Sequence, residues 1–266
     1  MDFFFRNKIY LRLFLFLSLL FFTGCATLGT YNSATERNEI VFLSTSSEVS
    51  IGNDLQEKIS SEYPLSKDIQ KIQRLEGIGR RLAAVSDRQD YEYKFYLVEK
   101  DELNAFTIPG GRIYFLTGLF DKLETDDAIA AVVAHEIGHC AARHIAKKFQ
   151  ASLGYSVVSA IAFQFIPMNN GARQIASLSA GAAMTLVFTA FSRKDEYQAD
   201  ALSIKYMYLA GYSLDGIINA FELLERESKG PKVPLWLRTH PYIEDRIKVI
   251  KKEIPKAQAK YSHLRK

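Results

Sequence analysis

From Asp68 to Ser86 the apolar residues Ile69, Ile72, Leu75, Ile78, Leu82 and Val85 recur at spacings of three and four, with polar residues between them. That period gives one apolar face to a helix. The stretch from Thr45 to Ser61 also has helical character, with mixed polarity. "YEYKFYLV" is aromatic and β-branched enough for a strand, and "RIYFLT" predicts a second one after a turn at Pro109, Gly110 and Gly111. A long helix then starts near Thr125, where "TDDA" supplies an N-cap and two acids for the first turn. "FSRKDEYQADALSIKYMYLAG" predicts another. Between these two helices lie apolar segments from Leu153 to Ile166 and from Ile175 to Phe191, joined by "PMNNGARQ". Each is short for a membrane span and rich in small residues, so a buried helical hairpin is expected, with lipid contact or a plug in a cleft as alternatives. The pattern as a whole predicts a mainly helical α+β fold.

The N-terminus departs from this pattern. Arg6, Lys8 and Arg12 precede the apolar run "LFLFLSLLFF", which has the layout of a secretory signal rather than of a folded element. It ends in "FTGC", similar to a bacterial lipobox although Phe22 stands where leucine is usual, so Cys25 is the expected lipidation site and the chain is expected on a membrane. Simple secretion and an uncleaved anchor are the alternatives. Ala26 lacks the aspartate associated with inner-membrane retention, which hints at the outer membrane. The expected division is residues 1–24 as lipoprotein signal peptide, 25–44 as a lipid-anchored polar tether, 45–254 as the main domain and 255–266 as a basic tail. A net charge of +4, from 34 basic and 30 acidic residues without a long like-charge block, argues against a nucleic-acid surface. With Cys25 lipidated, Cys140 has no disulfide partner, and it is expected as a small buried helix residue rather than a ligand.

Chemistry enters with "AVVAHEIGHCAARH", which holds three of the five histidines. His135 and His139 stand one helical turn apart on one face, so both imidazoles can reach one metal with Glu136 beside it as general base. The composition predicts only ~0.006 chance occurrences of this pattern. A tetrahedral zinc needs a third protein ligand. A continuous three-histidine motif is closed because Ala142 and Ile145 occupy its positions, and His144 lies about 140° around the helix, which leaves it as a surface or locally bonded residue. Downstream, Glu196 and Asp200 are again four residues apart, as a ligand carboxylate and the acid that orients a ligand imidazole would be.

"NAFTIPGGRIYFLTGLF", "AAVVAHEIGHCAARH", "DEYQADALSIKYMYLAGY" and "THPYIEDRI" occur in an order that resembles the membrane-associated zinc metallopeptidases of the HtpX and CAAX prenyl endopeptidase family, from about Glu48 to Ile250. The likeness is to its bacterial periplasmic lipoprotein branch, with no room for the tetratricopeptide-repeat domain some members carry. The resemblance implies a zincin-type gluzincin fold with a small antiparallel sheet. It implies one Zn2+ on His135, His139 and Glu196, with Glu136 as base and Asp200 behind the ligands. His240 would lie near the metal, either stabilising an oxyanion or filling a coordination position and holding the enzyme latent. Arg246 would brace that loop, or form a surface salt bridge. The strand after the glycine pair would edge the cleft, with Asn104, Ala105 and Gly110 lining the approach of an extended peptide. The expected activity is endoproteolysis of unfolded, damaged or misassembled envelope proteins; a metal-binding chaperone or assembly factor is the alternative.

Overall fold

The structure is a computed structural model that describes residues 29–152 and 185–264. The signal segment, Cys25 and most of the two apolar segments after Leu153 lie outside the described residues.

The amphipathic segments are helices α1 (Thr45–Glu62) and α2 (Ile69–Ala83). Asp68 caps α2 by accepting the N–H groups of Gln70 and Lys71, and its buried face carries Leu75, Ile78 and Leu82. Strand β3 (Lys94–Val98) follows, then β4 (Ala105–Ile108) and β5 (Arg112–Leu116), which form a hairpin about Pro109–Gly111. Gly110 and Gly111 turn the chain with φ of 84° and 76°, a conformation that strains other residues.

The strand order is β3-β5-β4, with β3 parallel and β4 antiparallel to β5. This corrects two expectations. The sheet is mixed, not antiparallel, because the loop after β3 crosses the end of β5 before β4 begins. Thr117 Oγ1 fixes that crossing, accepting the Lys100 N–H at 3.0 Å and donating to the Lys100 carbonyl at 3.1 Å. The strand after the glycine pair is therefore central, with both flanks hydrogen-bonded and none free for a peptide. The sheet's edges are β3 and β4, and β4 is the one that precedes the glycines.

Helices α3 (Thr117–Lys122) and α4 (Asp126–Ala141) come next, α4 capped by Thr125 through the Ala128 N–H. Every residue of α4 from Ala128 to Ala141 is buried, which accounts for its alanine content: a helix covered on all sides needs small residues where its neighbours approach. Around it pack α2, β4, α5 (Arg193–Leu209) and α6 (Asp215–Ser228). A capping box between Ser192 and Asp195 starts α5. The short α7 (Leu235–Thr239) leads to α8 (Ile243–Tyr261). The boundary expected at 254 falls inside α8, which continues through Pro255 because Ile254, Ala257 and Tyr261 rest against the core.

The described part of the expected tether is folded as well. Strands β1 (Thr30–Asn32) and β2 (Arg37–Glu39) pair antiparallel and dock on the end of α4, where Asn32 Nδ2 donates to the Ala141 carbonyl and Lys147 Nζ to Glu39. Short polar residues here supply bonds to a helix end rather than solvating a linker.

Candidate active site

The site lies where α4, α5 and the turn between α7 and α8 meet. Gly138 permits this meeting. A Cβ there would stand 2.9 Å from the Ala199 carbonyl oxygen and 3.2 Å from Ala199 Cα, so only glycine lets α5 approach α4 closely enough for Glu196 to face the histidines. In "HEIGH" the glycine sets the helix spacing.

His135 Nε2 and His139 Nε2 are 3.0 Å apart. Each is 3.5 Å from an oxygen of Glu196, and His240 Nδ1 lies 3.1 Å from Glu196 Oε1 and 3.3 Å from His135 Nε2. One donor atom from each of the four residues falls within a 4.8 Å cluster, and all four residues are buried. Donor atoms around a tetrahedral zinc, at zinc–nitrogen lengths near 2.05 Å, stand about 3.3 Å from one another, so the spacing and the three-nitrogen, one-carboxylate set fit that ion. No donor needs to move far to hold it.

The outward imidazole nitrogens are also engaged. His135 Nδ1 meets Asp200 Oδ1 at 2.9 Å, which turns its Nε2 inward. His139 Nδ1 lies 2.8 Å from His144 Nδ1, and His144 Nε2 is 3.0 Å from Gln198 Oε1. His144 is thus locally bonded and not at the surface. Behind α5, Arg246 is fully buried. Its Nε and Nη2 donate to the two oxygens of Asp200 at 2.8 and 2.6 Å, and its Nη1 pairs with Glu196 and donates to the His240 carbonyl at 3.3 Å. Arg246 is therefore not a surface salt bridge; it lies buried against Asp200, Glu196 and the His240 carbonyl.

Burial governs the charges. It pushes the Glu136 carboxyl up to about 8, while His135 and Trp236 pull the other way. It also opposes ionisation of Glu196, but Arg246, His240 and the two histidines outweigh it and hold that carboxyl well below the usual range. Burial lowers His139 and takes His240 to about 4, which favours neutral imidazoles able to donate a lone pair. For His135 the bonds to Asp200 and Glu196 overcome burial and raise it to about 9.

Glu136 Oε1 accepts the indole N–H of Trp236 at 3.4 Å, while Oε2 is buried with no hydrogen-bond partner. The Trp236 backbone N–H donates to Leu103, beside Asn104. Asn104 is wholly buried, and both polar atoms of its side chain are unpaired. Ala105 opens β4. Gly110, however, is not brought to this site: it lies at the far end of the hairpin, against Val49 and Glu48 of α1.

Sequence reasoning missed Trp236, which also stacks on the His240 ring at 4.6 Å, and Phe191, whose ring lies 3.8 Å from that of His139. As the only tryptophan, four positions before His240, Trp236 carried a signal. Phe191 carried none. Glu48 was missed as well. It is buried against Arg88 at 3.0 Å, Arg143 at 2.5 Å and the Tyr91 hydroxyl, tying α1 to the end of α4. Cys140 is buried with its Sγ 2.9 Å from Thr107 Oγ1, away from the donors, as expected for a packed helix residue.

The model of peptidase family M48 matches residues 70–254, which spans the helices that carry His135, His139 and Glu196 and the turn that carries His240. The chain belongs to peptidase family M48. This M48 chain is 27% identical over 212 residues to the beta-barrel assembly-enhancing protease of Yersinia pestis, covering 77% of itself and 43% of that protein. It is 27% identical over 233 residues to the metalloprotease LoiP of Escherichia coli, covering 86% and 90% respectively. It is also 28% identical over 182 residues to the mitochondrial metalloendopeptidase OMA1 of Schizosaccharomyces pombe, covering 68% and 52%. The M48 chain thus spans less than half the length of the assembly-enhancing protease and most of that of LoiP.

Proposed function

We propose that this chain is a zinc metalloendopeptidase, exported and held on the bacterial envelope membrane through a lipidated Cys25, that cleaves unfolded, damaged or misassembled envelope proteins. The single observation that carries the chemistry is Glu136 Oε2, a buried carboxylate oxygen without a partner beside four converging donors. His135, His139 and Glu196 would hold the zinc, which when bound acidifies water and polarises a carbonyl. Glu136 takes the proton from the attacking water at Oε2 and passes it to the leaving amine, with Trp236 fixing the other oxygen. Asp200 and His144 orient the ligand imidazoles, and Arg246 fixes the spacing of Asp200 and Glu196.

Substrate would enter as an extended strand against β4, with Asn104 and Ala105 where it meets the site. The unpaired buried amide of Asn104 supports this, because a peptide backbone offers it both a donor and an acceptor. Recognition through the main chain tolerates many sequences and selects chains that expose extended segments. The name of one relative, the beta-barrel assembly-enhancing protease, agrees with an envelope role, and that of LoiP agrees with metal-dependent proteolysis.

The approach of His240 to Glu196 favours a second reading, in which the zinc site is latent and the chain serves as an assembly factor until that histidine withdraws. Both readings are tested by zinc content and by cleavage of an unfolded protein, using the parent, Glu136→Gln and His240→Ala. Zinc without Glu136-dependent cleavage in either the parent or the His240 variant sinks the protease. Greater cleavage by His240→Ala supports latency, and lost cleavage assigns His240 to the reaction.

A further inference from the structure

Among the described residues, three large hydrophobic side chains lie exposed within one short stretch: Tyr31 at 62%, Ile40 at 52% and Phe42 at 82%. Their burial alternates along the chain. Glu39, Val41 and Leu43 are partly buried, while residues 38, 40 and 42 face out, and Tyr31 pairs with Asn38 across the hairpin. This alternation, continued past the end of β2 from the Tyr31–Asn38 pair, puts Tyr31, Ile40 and Phe42 on a common outward face. The stretch is held firmly. Gln150 accepts the Phe42 N–H at 2.6 Å and donates to the Ile40 carbonyl at 3.0 Å, much as a neighbouring strand would. Exposure of Phe42 is thus a property of ordered chain.

The ends of the described chain converge on this face. Gly29 abuts the backbone of Glu39, one residue from Ile40. Ser152 lies two residues beyond Gln150, and the chain returns at Thr185, close to Thr189, whose carbonyl accepts the Lys148 ammonium at 2.7 Å. The sequence leading to Gly29 and the sequence leaving Ser152 are both apolar. Three residues separate Cys25 from Gly29, at most about 14 Å of chain. A membrane-embedded acyl group on Cys25 would bring this face within reach of the lipid.

We infer that Tyr31, Ile40 and Phe42 form a membrane-docking face, which inserts into the headgroup region of a phospholipid bilayer and sets the catalytic domain in one orientation on it. The inference rests on the lipid-anchor reading. Side chains at this depth, about 5–10 Å into the headgroup and acyl boundary, contribute apolar contact that a tether alone lacks. A rigid dock also keeps β4 and the site at a constant height above the membrane, since β1 and β2 bond directly to the end of the helix that carries His135 and His139.

The test uses the full chain, reconstituted in phosphatidylethanolamine–phosphatidylglycerol vesicles with brominated acyl chains. Phe42→Trp is compared with Val233→Trp, the latter at an exposed apolar position between α6 and α7; Trp236 is a shared buried background. Radiolabelled palmitate, offered to cells making the parent or Cys25→Ser, reports the anchor separately. The expected result is palmitate on the parent alone and at least about twofold quenching at position 42, with none at 233. Quenching at 42 without palmitate supports the docking face and overturns the anchor. Palmitate without quenching at 42, or with equal quenching at both positions, overturns the docking face and leaves the anchor intact. Blue-shifted but unquenched emission at 42 also overturns it, because a second copy or residues 153–184 would then cover the face.

Discussion

Arg246→Met is the most informative perturbation of the site. The arginine is fully buried, and methionine keeps most of its length while removing every donor. Asp200 loses two hydrogen bonds, at 2.8 and 2.6 Å, Glu196 loses its cationic neighbour, and the His240 carbonyl loses a donor at 3.3 Å. Two carboxylates no more than 3% exposed are left with only the neighbouring histidines as partners. Breaking a buried ion pair from one side costs about 3–5 kcal/mol, and that is the loss expected in urea unfolding of the chelator-treated chain. Zinc should restore more stability to the variant than to the parent, because a cation between His135, His139 and Glu196 replaces part of the missing charge. Removing one of the stranded acids, in Arg246→Met with Asp200→Asn, should recover part of the loss, and the two effects should be non-additive. A loss below about 1 kcal/mol in chelator, the range of a surface ion pair, would refute the reasoning. So would strictly additive single and double variants.

Glu136→Gln should keep bound zinc, measured by metal analysis, and lower cleavage of an unfolded substrate about a hundred- to ten-thousandfold. His144→Leu removes the partner of His139 Nδ1 and should weaken zinc about 10–100-fold in a competition titration, with little change in far-ultraviolet dichroism. Gly138→Ala drives a Cβ against the Ala199 backbone and should weaken zinc by parting α4 from α5, which a chelator-competition assay reads directly. Glu39 reports on pH. Burial opposes its ionisation, but the bonds from Lys147 and Asn32 hold its pKa below the ordinary 4.5. A pKa lowered by folding adds stability above the unfolded value, and that stability is lost as pH falls through the folded one. Parent and Glu39→Gln should therefore differ in stability at neutral pH and converge in acid; a constant gap across an acid titration would contradict this.

The sequence by itself determined what depends on local spacing. The period of three and four between Ile69 and Leu82 is a helix because those side chains share a face, and Pro109–Gly111 is a turn because the glycines accept positive φ. His135 and His139 point together for the same reason, one turn of one helix. Contacts between distant segments were decided only by the tertiary structure. β5 became the central strand because the loop after β3 crosses its end, a path no residue pattern encodes, and that left β4 rather than β5 with an unpaired strand edge. Thr30 to Glu39 is polar enough for a linker, yet its polar groups meet unpaired groups at the end of α4 and fold there. A continued α4 would put His144 on the wrong side for the metal, but the helix ends at Ala141 and a left-handed residue, Arg143 at φ 57°, bends the chain and brings its imidazole to His139. Arg246 could have been a surface charge until α8 packed against α5 and closed it over Asp200 and Glu196. Local periodicity names the groups that carry the chemistry, while burial and long-range packing fix their partners and hence their charge.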